Sequence, residues 1–311
     1  MHGLLIVDKG TGITSARAMD PIKRALRMRR RVGHAGTLDP FATGVLIVLF
    51  GDVTRLVDSL LALPKTYRAT VLFGQETETL DREGKVIARA DPGTSAPSDL
   101  GAALVEFTGE INQIPPAYSA LKVGGKPAYQ LTRSGRAPEL VSRRVTIHGL
   151  RVVEDRWPEL DLDVVCGSGT YIRALARDLG KRLGLPAYLC ALRRTAIGPF
   201  AADDGVQVGW KREPTRSAVL AAIRPPLSIT RAVGIPELRL TLSQSRVFIR
   251  GNTVKMASTH EIGTTYAILD DTGEYLLGIG VINPDGSLRP KKVLPHMVDK
   301  ITRRSQGPAQ E

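Results

Sequence analysis

The sequence predicts an α+β protein in which a mostly antiparallel, mixed sheet is flanked by helices and followed by a small β-rich domain. Two observations indicate this class. Extended segments at residues 145–153 and 160–166 follow one another after a short connection, as antiparallel neighbours do, while helical segments separate other strands. Beyond Pro236, short apolar stretches alternate with glycines at strand spacing. The predicted division is a first domain at 1–232, a second at 233–297 and a flexible tail at 298–311.

The first third of the chain predicts two helices, two strands and a loop. Thr14 and the serine after it are N-cap residue types, and about 15 residues with apolar side chains on one helix face follow them. Residues 32–44 are rich in glycine and predict a loop. The continuous apolar run 45–50 predicts a buried strand, and a helix is expected at about 52–63. Alternation over 67–73 then predicts another strand.

The rest of the chain continues the pattern. A turn is expected at Glu83-Gly84, a helix at 100–107, and a helix from Ile172 that Gly184 ends. The proline-rich stretch 210–236 predicts a linker. In the second domain we expect short strands at 247–249, 266–269, 275–279 and 280–282.

Charge indicates a polyanionic partner. The chain has 311 residues and a formal net charge of +12, and most of the excess lies before residue 235. The densest basic run, residues 23–31, holds six cations in nine residues without an interleaved acid. Such a run is usually a solvated helix face, but like charges repel unless an anion neutralises them, so we favour phosphate contacts.

Several protein classes are excluded by the same reading. The longest apolar run has six residues, against about 20 for a membrane span, and the N-terminus lacks the pattern of a signal peptide. Two cysteines and five scattered histidines predict neither a disulfide framework nor a metal site. No phosphate-binding or dinucleotide motif is complete. We therefore expect a cytoplasmic protein that uses no cofactor and no metal.

A glycine-rich loop beside the basic run holds the strongest candidate residues. The stretch Gly33–Gly44 contains one acid, Asp39, and one histidine, His34. Glycines permit the close approach of a ligand. Asp39 could equally be a turn cap before Pro40, and His34 a plain surface residue.

A second cluster stands where the helix after Gly169 begins. Arg173 lies in its first turn, where a cation opposes the helix dipole by about 0.3–1 kcal/mol, so a carboxylate or phosphate partner is expected. A local pair with Asp178, or plain exposure of the side chain, would account for Arg173 as well. Tyr171 and Tyr67 are candidate site aromatics, although packing alone could account for both.

Several motifs, in order, resemble the TruB family of pseudouridine synthases. The run GHAGTLDPFATGVL resembles the family's catalytic loop, and further matching segments support it: DKGTGITS from Asp8, KTYR from Lys65, QIPPAYSALK from Gln113, GTYIR from Gly169 and LRR from Leu192. The resemblance covers residues 3–200 firmly. The C-terminal part resembles a PUA-like RNA-binding module through the strand pattern and Arg250-Gly251-Asn252.

The resemblance implies a function and a role for each site residue. It implies the isomerisation of uridine to pseudouridine in the T-arm of tRNA, at position 55, by a stand-alone enzyme that needs no cofactor. Asp39 would be the catalytic nucleophile, and we hypothesise that Arg173 pairs with it and favours its charged form. Tyr67 would stack on the flipped uracil or act as a base. Tyr171 would line the pocket, His34 would fill the space that the flipped nucleotide leaves, and Leu192 would form an apolar wall.

Partners follow from the same reading. We expect tRNA as the partner and a monomer without an obligate protein partner or a membrane. The expected phosphate contacts are Lys23, Arg24, Arg27, Arg30, Arg31, Arg193 and Arg194. Rival interpretations are a guide-RNA-dependent synthase, a non-catalytic RNA-binding or RNA-folding protein, and a membrane-surface protein. Asp39 argues against the non-catalytic RNA-binding protein, because a plain RNA binder gains nothing from a carboxylate among phosphates.

Overall fold

The computed structural model describes residues 1–136, 138–256 and 260–297. Eighteen strands and eight α-helices are assigned within these residues. The strands, in chain order, are β1 Gly3–Lys9, β2 Val32–Ala35, β3 Thr43–Phe50, β4 Lys65–Phe73, β5 Gln75–Thr77, β6 Val86–Arg89, β7 Gly109–Gln113, β8 Lys122–Val123, β9 Lys126–Pro127, β10 Arg143–Arg156, β11 Glu159–Cys166, β12 Ala187–Ile197, β13 Phe200–Ala201, β14 Val206–Val208, β15 Glu237–Arg239, β16 Thr265–Leu269, β17 Leu276–Ile282 and β18 Leu288–Val293. The helices are α1 Ser15–Leu26, α2 Val57–Ala62, α3 Leu100–Glu106, α4 Ala128–Arg133, α5 Ile172–Arg182, α6 Arg216–Ala221, α7 Leu227–Ala232 and α8 Leu242–Ile249.

A large mixed sheet forms the centre of the molecule. Its strands lie in the order β14-β1-β3-β12-β4-β11-β10-β7, with β2 beside β3 and β13 beside β12. Only the β1–β14 and β3–β12 pairings are parallel within it; the other pairings are antiparallel. A second sheet, in the order β15-β16-β17-β18, follows near the C-terminus. The predicted fold class is confirmed.

One row of paired residues crosses the large sheet at the end where the glycine-rich loop that carries Asp39 enters. Val208 of β14 pairs with Lys9 of β1, Lys9 pairs with Gly44 of β3, Gly44 pairs with Arg194 of β12, and Arg194 pairs with Tyr67 of β4. Gly44 is required here: its φ is +102°, and a Cβ would lie 2.1 Å from the carbonyl oxygen of Arg194. This row therefore brings residues that are distant in sequence to the same edge of the sheet.

Most predicted elements of the first domain are present. Thr14 caps α1 by accepting a hydrogen bond from the Arg17 amide, as its residue type predicts. The helix expected at 52–63 is a 3₁₀ segment, Gly51–Leu56, that continues into α2. The prediction of a loop over all of 32–44 was wrong at its start, because β2 pairs with β3 and this tertiary pairing outweighs the glycine there. Within the described residues, none of the helices is long and apolar enough to cross a membrane.

Three predictions nearer the C-terminus were wrong. The stretch 210–236 is not a bare linker, because α6 and α7 pack there with Val219 and Ile229 fully buried. Residues 247–249 end α8, whose Thr241-x-x-Gln244 capping box was the missed signal. The runs 275–279 and 280–282 form one strand, β17, and the basic strand β18 was not predicted. The expected flexible tail, 298–311, lies outside the described residues.

The two predicted domains share one apolar core. A single cluster of buried side chains includes Ile47 and Val53 of the first part and Phe248, Leu277 and Leu294 of the second. The contact is reinforced at the surface, where the Lys292 ammonium lies 2.9 Å from the Asp58 carboxylate. The C-terminal sheet is thus packed against the large sheet's supporting elements.

Candidate active site

The loop that carries Asp39 is held by the segment that follows β1. The Ser15 hydroxyl accepts from the Leu38 amide at 2.8 Å and donates to the Leu38 carbonyl at 3.0 Å. The Pro40 carbonyl accepts from the Gly12 amide at 2.8 Å and from the Lys9 ammonium at 3.2 Å. These bonds fix the backbone on both sides of Asp39, so its carboxylate projects from a preset turn.

Lys9 holds this segment together through hydrogen bonds to its backbone, and it was not identified from the sequence. It is fully buried, and its ammonium also donates to the Ile13 carbonyl at 2.9 Å and the Gly10 carbonyl at 3.0 Å. Burial lowers the pKa of Lys9 to about 8, while the charge of Asp39 opposes that shift. A buried cation therefore lies directly behind the loop.

Arg173 pairs with Asp39, as hypothesised. Its Nε lies 2.9 Å from Asp39 Oδ2 and its Nη2 lies 3.1 Å from Asp39 Oδ1, which is a two-point contact. The same guanidinium lies 3.2 Å from the Asp81 carboxylate and donates to the carbonyls of Thr79 and Tyr118, at 2.8 and 3.0 Å. Arg173 is 5% exposed, so the pair is fixed from the interior side.

Asp81 is a second carboxylate that the sequence analysis did not identify. It is buried, whereas the Asp39 side chain remains 34% exposed. Asp39 is thus the carboxylate that a ligand can reach, and Asp81 balances the other side of Arg173. No motif or spacing distinguishes Asp81 in the sequence, because it lies in a turn of ordinary composition.

Opposing effects act on the pKa of Asp39. Burial raises the pKa above its ordinary value, and the nearby Asp81 charge adds to the rise. Arg173 and Lys9 lower it by attraction, and Arg173 also lowers it through its hydrogen bond. The net pKa is raised, so the guanidinium moderates the cost of burying a carboxylate rather than reversing it.

Tyr67 lies beside Arg194 at the edge of the same site. Its ring is buried in a cluster with Leu38, Phe41 and Leu192. Burial raises the pKa of Tyr67, while the charge of Arg194 and a hydrogen bond that Arg194 donates to the Tyr67 oxygen lower that pKa. Asp39 also acts on the pKa of Tyr67, which places both groups in one electrostatic environment.

The structure contradicts the prediction that Arg194 contacts phosphate. Arg194 is 2% exposed, and its guanidinium donates to the Val45 carbonyl at 2.8 Å and the Gly36 carbonyl at 2.9 Å. An arginine so enclosed braces the loop and Tyr67 from behind. The sequence signal was misleading because Arg193 and Arg194 alternate in β12, and alternate residues point to opposite faces.

The remaining predicted pocket residues surround this centre. Leu192 is 8% exposed and packs in the Tyr67 cluster, as an apolar wall requires. Tyr171 is half-buried at the N-cap of α5, where the Gln113 side chain accepts from its amide at 2.8 Å and donates to its carbonyl at 3.1 Å. His34 is half-buried, and its Nδ1 has no hydrogen-bond partner among the described residues. Burial and the charge of Arg194 lower the pKa of His34, so its ring is neutral at neutral pH.

The basic run is partly neutralised by acids from other parts of the chain. Lys23 lies 3.3 Å from Asp20, Arg24 pairs with Glu213, and Arg31 lies 3.0 Å from Asp52. The run itself contains no acid, but carboxylates from outside it already pair with three of its six cations. Arg27 and Arg30 are exposed. Arg193 is 37% exposed and makes a two-point contact with Asp8, at 2.9 and 3.1 Å.

One group of histidines was not anticipated. His2, Asp52 and His296 lie close together, with the two imidazole rings stacked at 3.7 Å and 8° between their planes. The Nδ1 of His2 accepts from the Asp52 amide at 3.0 Å, and the Asp52 carboxylate accepts from the His296 amide at 2.8 Å. Stacked rings direct their nitrogen lone pairs side by side rather than toward one point, so this cluster fits a junction between chain segments better than a metal site.

The site and the fold together indicate an enzyme. Its active group is one accessible carboxylate that a buried arginine holds beside an aromatic pocket, and the protein as a whole is basic. The fold is shared with solved structures. The crystal structure of a Cbf5–Nop10–Gar1 complex contains a chain that matches with a TM-score of 0.67 and 24% identity, covering 94% of this chain and 84% of that chain. A chain in the archaeal box H/ACA sRNP Nop10–Cbf5 complex matches with a TM-score of 0.66.

Sequence comparison specifies the family. The model of the TruB family pseudouridylate synthase N-terminal domain matches residues 23–172, and that of the pseudouridine synthase II TruB C-terminal region matches residues 236–294. A protein named tRNA pseudouridine synthase B from Ralstonia nicotianae is 38% identical over 94% of both chains. One of the same name from Corynebacterium efficiens is 39% identical over 91% of this chain and 97% of its own. The chain belongs to the TruB family of pseudouridylate synthases, so it is an enzyme that isomerises uridine to pseudouridine.

Proposed function

We propose that this enzyme acts on the uridine at position 55 in the T-arm of tRNA, with Asp39 as its catalytic residue. The observation that carries the proposal is the two-point contact of Arg173 with Asp39, which holds a partly exposed carboxylate beside the Tyr67 cluster. The names of the relatives from R. nicotianae and C. efficiens support tRNA as the substrate.

The reaction requires the target nucleotide to leave the base stack. Flipping costs a few kcal/mol, and stacking on an aromatic side chain returns about 1–3 kcal/mol. Tyr67 and Tyr171 supply that stacking in our proposal, and Leu192 closes the apolar side. His34 occupies the space that the extruded nucleotide vacates. Its neutral ring is suited to stacking rather than to charge pairing.

Within the pocket, the N1–C1′ bond breaks, the uracil rotates, and a bond forms between C5 and C1′. C5 then loses its proton and N1 takes one up, so that the product is an isomer of the substrate. The Asp39 carboxylate can attack C1′, add to the base, or stabilise the positive charge that develops as the bond breaks. In a fourth scheme, the glycal route, Tyr67 accepts the C2′ proton as its phenolate, a form that burial disfavours by raising the pKa of Tyr67. The first three schemes need Asp39 ionised, which its contact with Arg173 promotes.

Phosphate contacts belong to the same proposal. Arg27 and Arg30 are exposed on the basic run, and Lys23, Arg24, Arg31 and Arg193 would exchange their carboxylate partners for phosphates as RNA binds. Affinity should therefore fall steeply with salt. We also propose that the enzyme works as a cytoplasmic monomer without a guide RNA, which size-exclusion chromatography and activity on bare tRNA would test.

Tritium release tests the proposal directly. The purified protein is incubated with unmodified tRNA that carries tritium at C5 of uridine, and Asp39→Asn is assayed alongside. Release by the wild type alone is the expected result, because only the wild type has the ionisable carboxylate. A tRNA in which position 55 is cytidine should release nothing from that site. Equal release by both proteins, or release by neither, contradicts the proposal.

A further inference from the structure

An exposed tryptophan stands on a tight turn next to the active-site edge of the sheet. Trp210 is 68% exposed. The turn is closed by reciprocal backbone bonds between Gly209 and Arg212, both at 3.1 Å, so Trp210 and Lys211 form its tip. The chain's other tryptophan, Trp157, is stacked on Phe73 and donates from its indole to a backbone carbonyl. A single exposed apolar side chain needs no explanation by itself. The position of Trp210 and the charges around it, however, call for an explanation.

The position of Trp210 follows from the sheet register. Val208, two residues before it, begins the row of paired residues that crosses to Tyr67. Four strand steps separate β14 from β4, and each step is about 4.8 Å, so the turn lies roughly 19 Å along the edge from Tyr67. The Gly10 amide also donates to the Val208 carbonyl at 2.7 Å, which joins the turn to the segment that fastens the catalytic loop.

The surroundings of the turn are cationic. Lys211 and Arg212 are exposed beside the indole, and two neighbouring acids are already paired: Glu213 with Arg24, and Asp8 with Arg193. A recess of about 140 Å³ lies between the turn and the loop that carries Asp39. Its charged lining residues are Asp8, Lys9, Arg193 and Arg212. A flat aromatic surface between cations is the arrangement that binds a single-stranded nucleotide, with the base on the ring and the phosphate on the cations.

We propose that Trp210, with Lys211 and Arg212, is a second RNA-contact site, where the indole stacks on an unpaired base of the substrate several nucleotides from the target uridine. The site rests on the proposed function, because the ligand is the RNA substrate. It contributes affinity and register rather than chemistry, since it lies roughly 19 Å along the edge of the sheet from Tyr67. Stacking is tolerant of base identity, so the site recognises an unpaired nucleotide rather than a sequence.

Intrinsic fluorescence tests the contact without relying on turnover. In an Asp39→Asn background, Trp157→Phe leaves Trp210 as the one tryptophan, and Trp210→Phe leaves Trp157. Titration with unmodified tRNA transcript should quench the emission of the first protein and leave that of the second nearly constant. If RNA binds but the Trp210 emission does not change, the surface serves another purpose, such as a protein contact, and the proposal is overturned.

Steady-state tritium release supplies the second measurement. Trp210→Ala should raise KM about 10-fold, within the range of about 5- to 140-fold that one stacked base provides, and leave kcat unchanged. Trp210→Phe should restore most of the loss because it keeps a stacking ring. Val105→Ala, at a site on α3 that is 74% exposed, is the matched control and should behave as the wild type.

The outcomes separate the two proposals. If the wild type releases no tritium from tRNA, the proposed function fails. If the wild type is active and Trp210→Ala keeps the wild-type KM, this inference alone fails. A general unfolding defect would lower kcat and the melting temperature together, and circular dichroism distinguishes that result from the expected rise in KM.

Discussion

Replacing Arg173 by lysine keeps a cation next to Asp39 but removes the geometry that holds it. Arg173 makes two contacts with Asp39 and one each with Asp81, the Thr79 carbonyl and the Tyr118 carbonyl. A lysine ammonium has three donors at one point, so at least two of these five contacts are lost. The substitution therefore separates the effect of charge from the effect of orientation.

The size of the effect follows from the contacts that are lost. A hydrogen bond to a charged group contributes about 1.5–3 kcal/mol, so two lost bonds lower the free energy of unfolding by roughly 3–6 kcal/mol. Because Asp39 is 34% exposed, water can replace part of its contact, and we expect the lower end of that range. A carboxylate misplaced by about 1 Å costs on the order of 100-fold in rate. We expect kcat to fall about 100-fold in Arg173→Lys.

Tritium release measures kcat, and urea denaturation measures the free energy of unfolding. Arg173→Met is the companion variant, since it removes the charge as well. Without that charge the pKa of Asp39 rises further, so the acid limb of the rate profile should move to higher pH in Arg173→Met and less so in Arg173→Lys. Unchanged turnover in Arg173→Lys would refute the claim that the two-point contact orients Asp39.

The other predictions concern single groups. Tyr67→Phe keeps the ring but removes the hydroxyl, so RNA affinity should stay within about 2-fold. If the phenol is the base of the glycal route, turnover should fall at least about 100-fold, and normal turnover would eliminate that role. Lys9→Met loses bonds to three carbonyls and should lower the free energy of unfolding by about 3 kcal/mol in urea, together with kcat; unaltered values would show that Lys9 is dispensable. The pKa of His2 is lowered to about 4, so the unfolded chain binds a proton below its ordinary pKa of 6.5 while the folded chain does not. Stability should therefore fall by about 2 kcal/mol from pH 7 to pH 5, and His2→Gln should lose most of that dependence in urea melts.

Sequence patterns predicted the parts of the fold that local chemistry determines. The cap at Thr14, the apolar strand β3 and the amphipathic helix α5 follow from side-chain type and period. The strand β2 does not, because it exists through pairing with β3, and β18 is too basic to show an apolar alternation. Tertiary contacts outweigh propensity at such places.

In the candidate site, too, some residues could be predicted from local sequence and others depend on tertiary contacts. Asp39 and Arg173 were predicted as partners because a cation in the first turn of a helix needs an anion, and the structure places them 2.9 Å apart. Asp81 and Lys9 were missed because only the folded chain places them around that pair. Arg194 was predicted to contact phosphate as one of two consecutive arginines, although β12 turns its side chain inward. Motifs identify groups that do chemistry more readily than groups that hold them in place.

The domain boundary predicted at residue 232 can be tested by experiment, because one apolar core contains residues from both sides of it. Ile47 and Val53 belong to the same buried cluster as Phe248 and Leu277, so a chain that ends at residue 232 would expose the face on which the C-terminal sheet packs. Each buried side chain of this size contributes about 1.5–3 kcal/mol, and the total stability of a domain is about 5–15 kcal/mol. We therefore expect the full chain to melt in one transition, and residues 1–232 alone to aggregate or to melt at a much lower temperature. Calorimetry of both chains decides the point, and a soluble 1–232 fragment with the melting temperature of the full chain would show that the catalytic part is an independent domain.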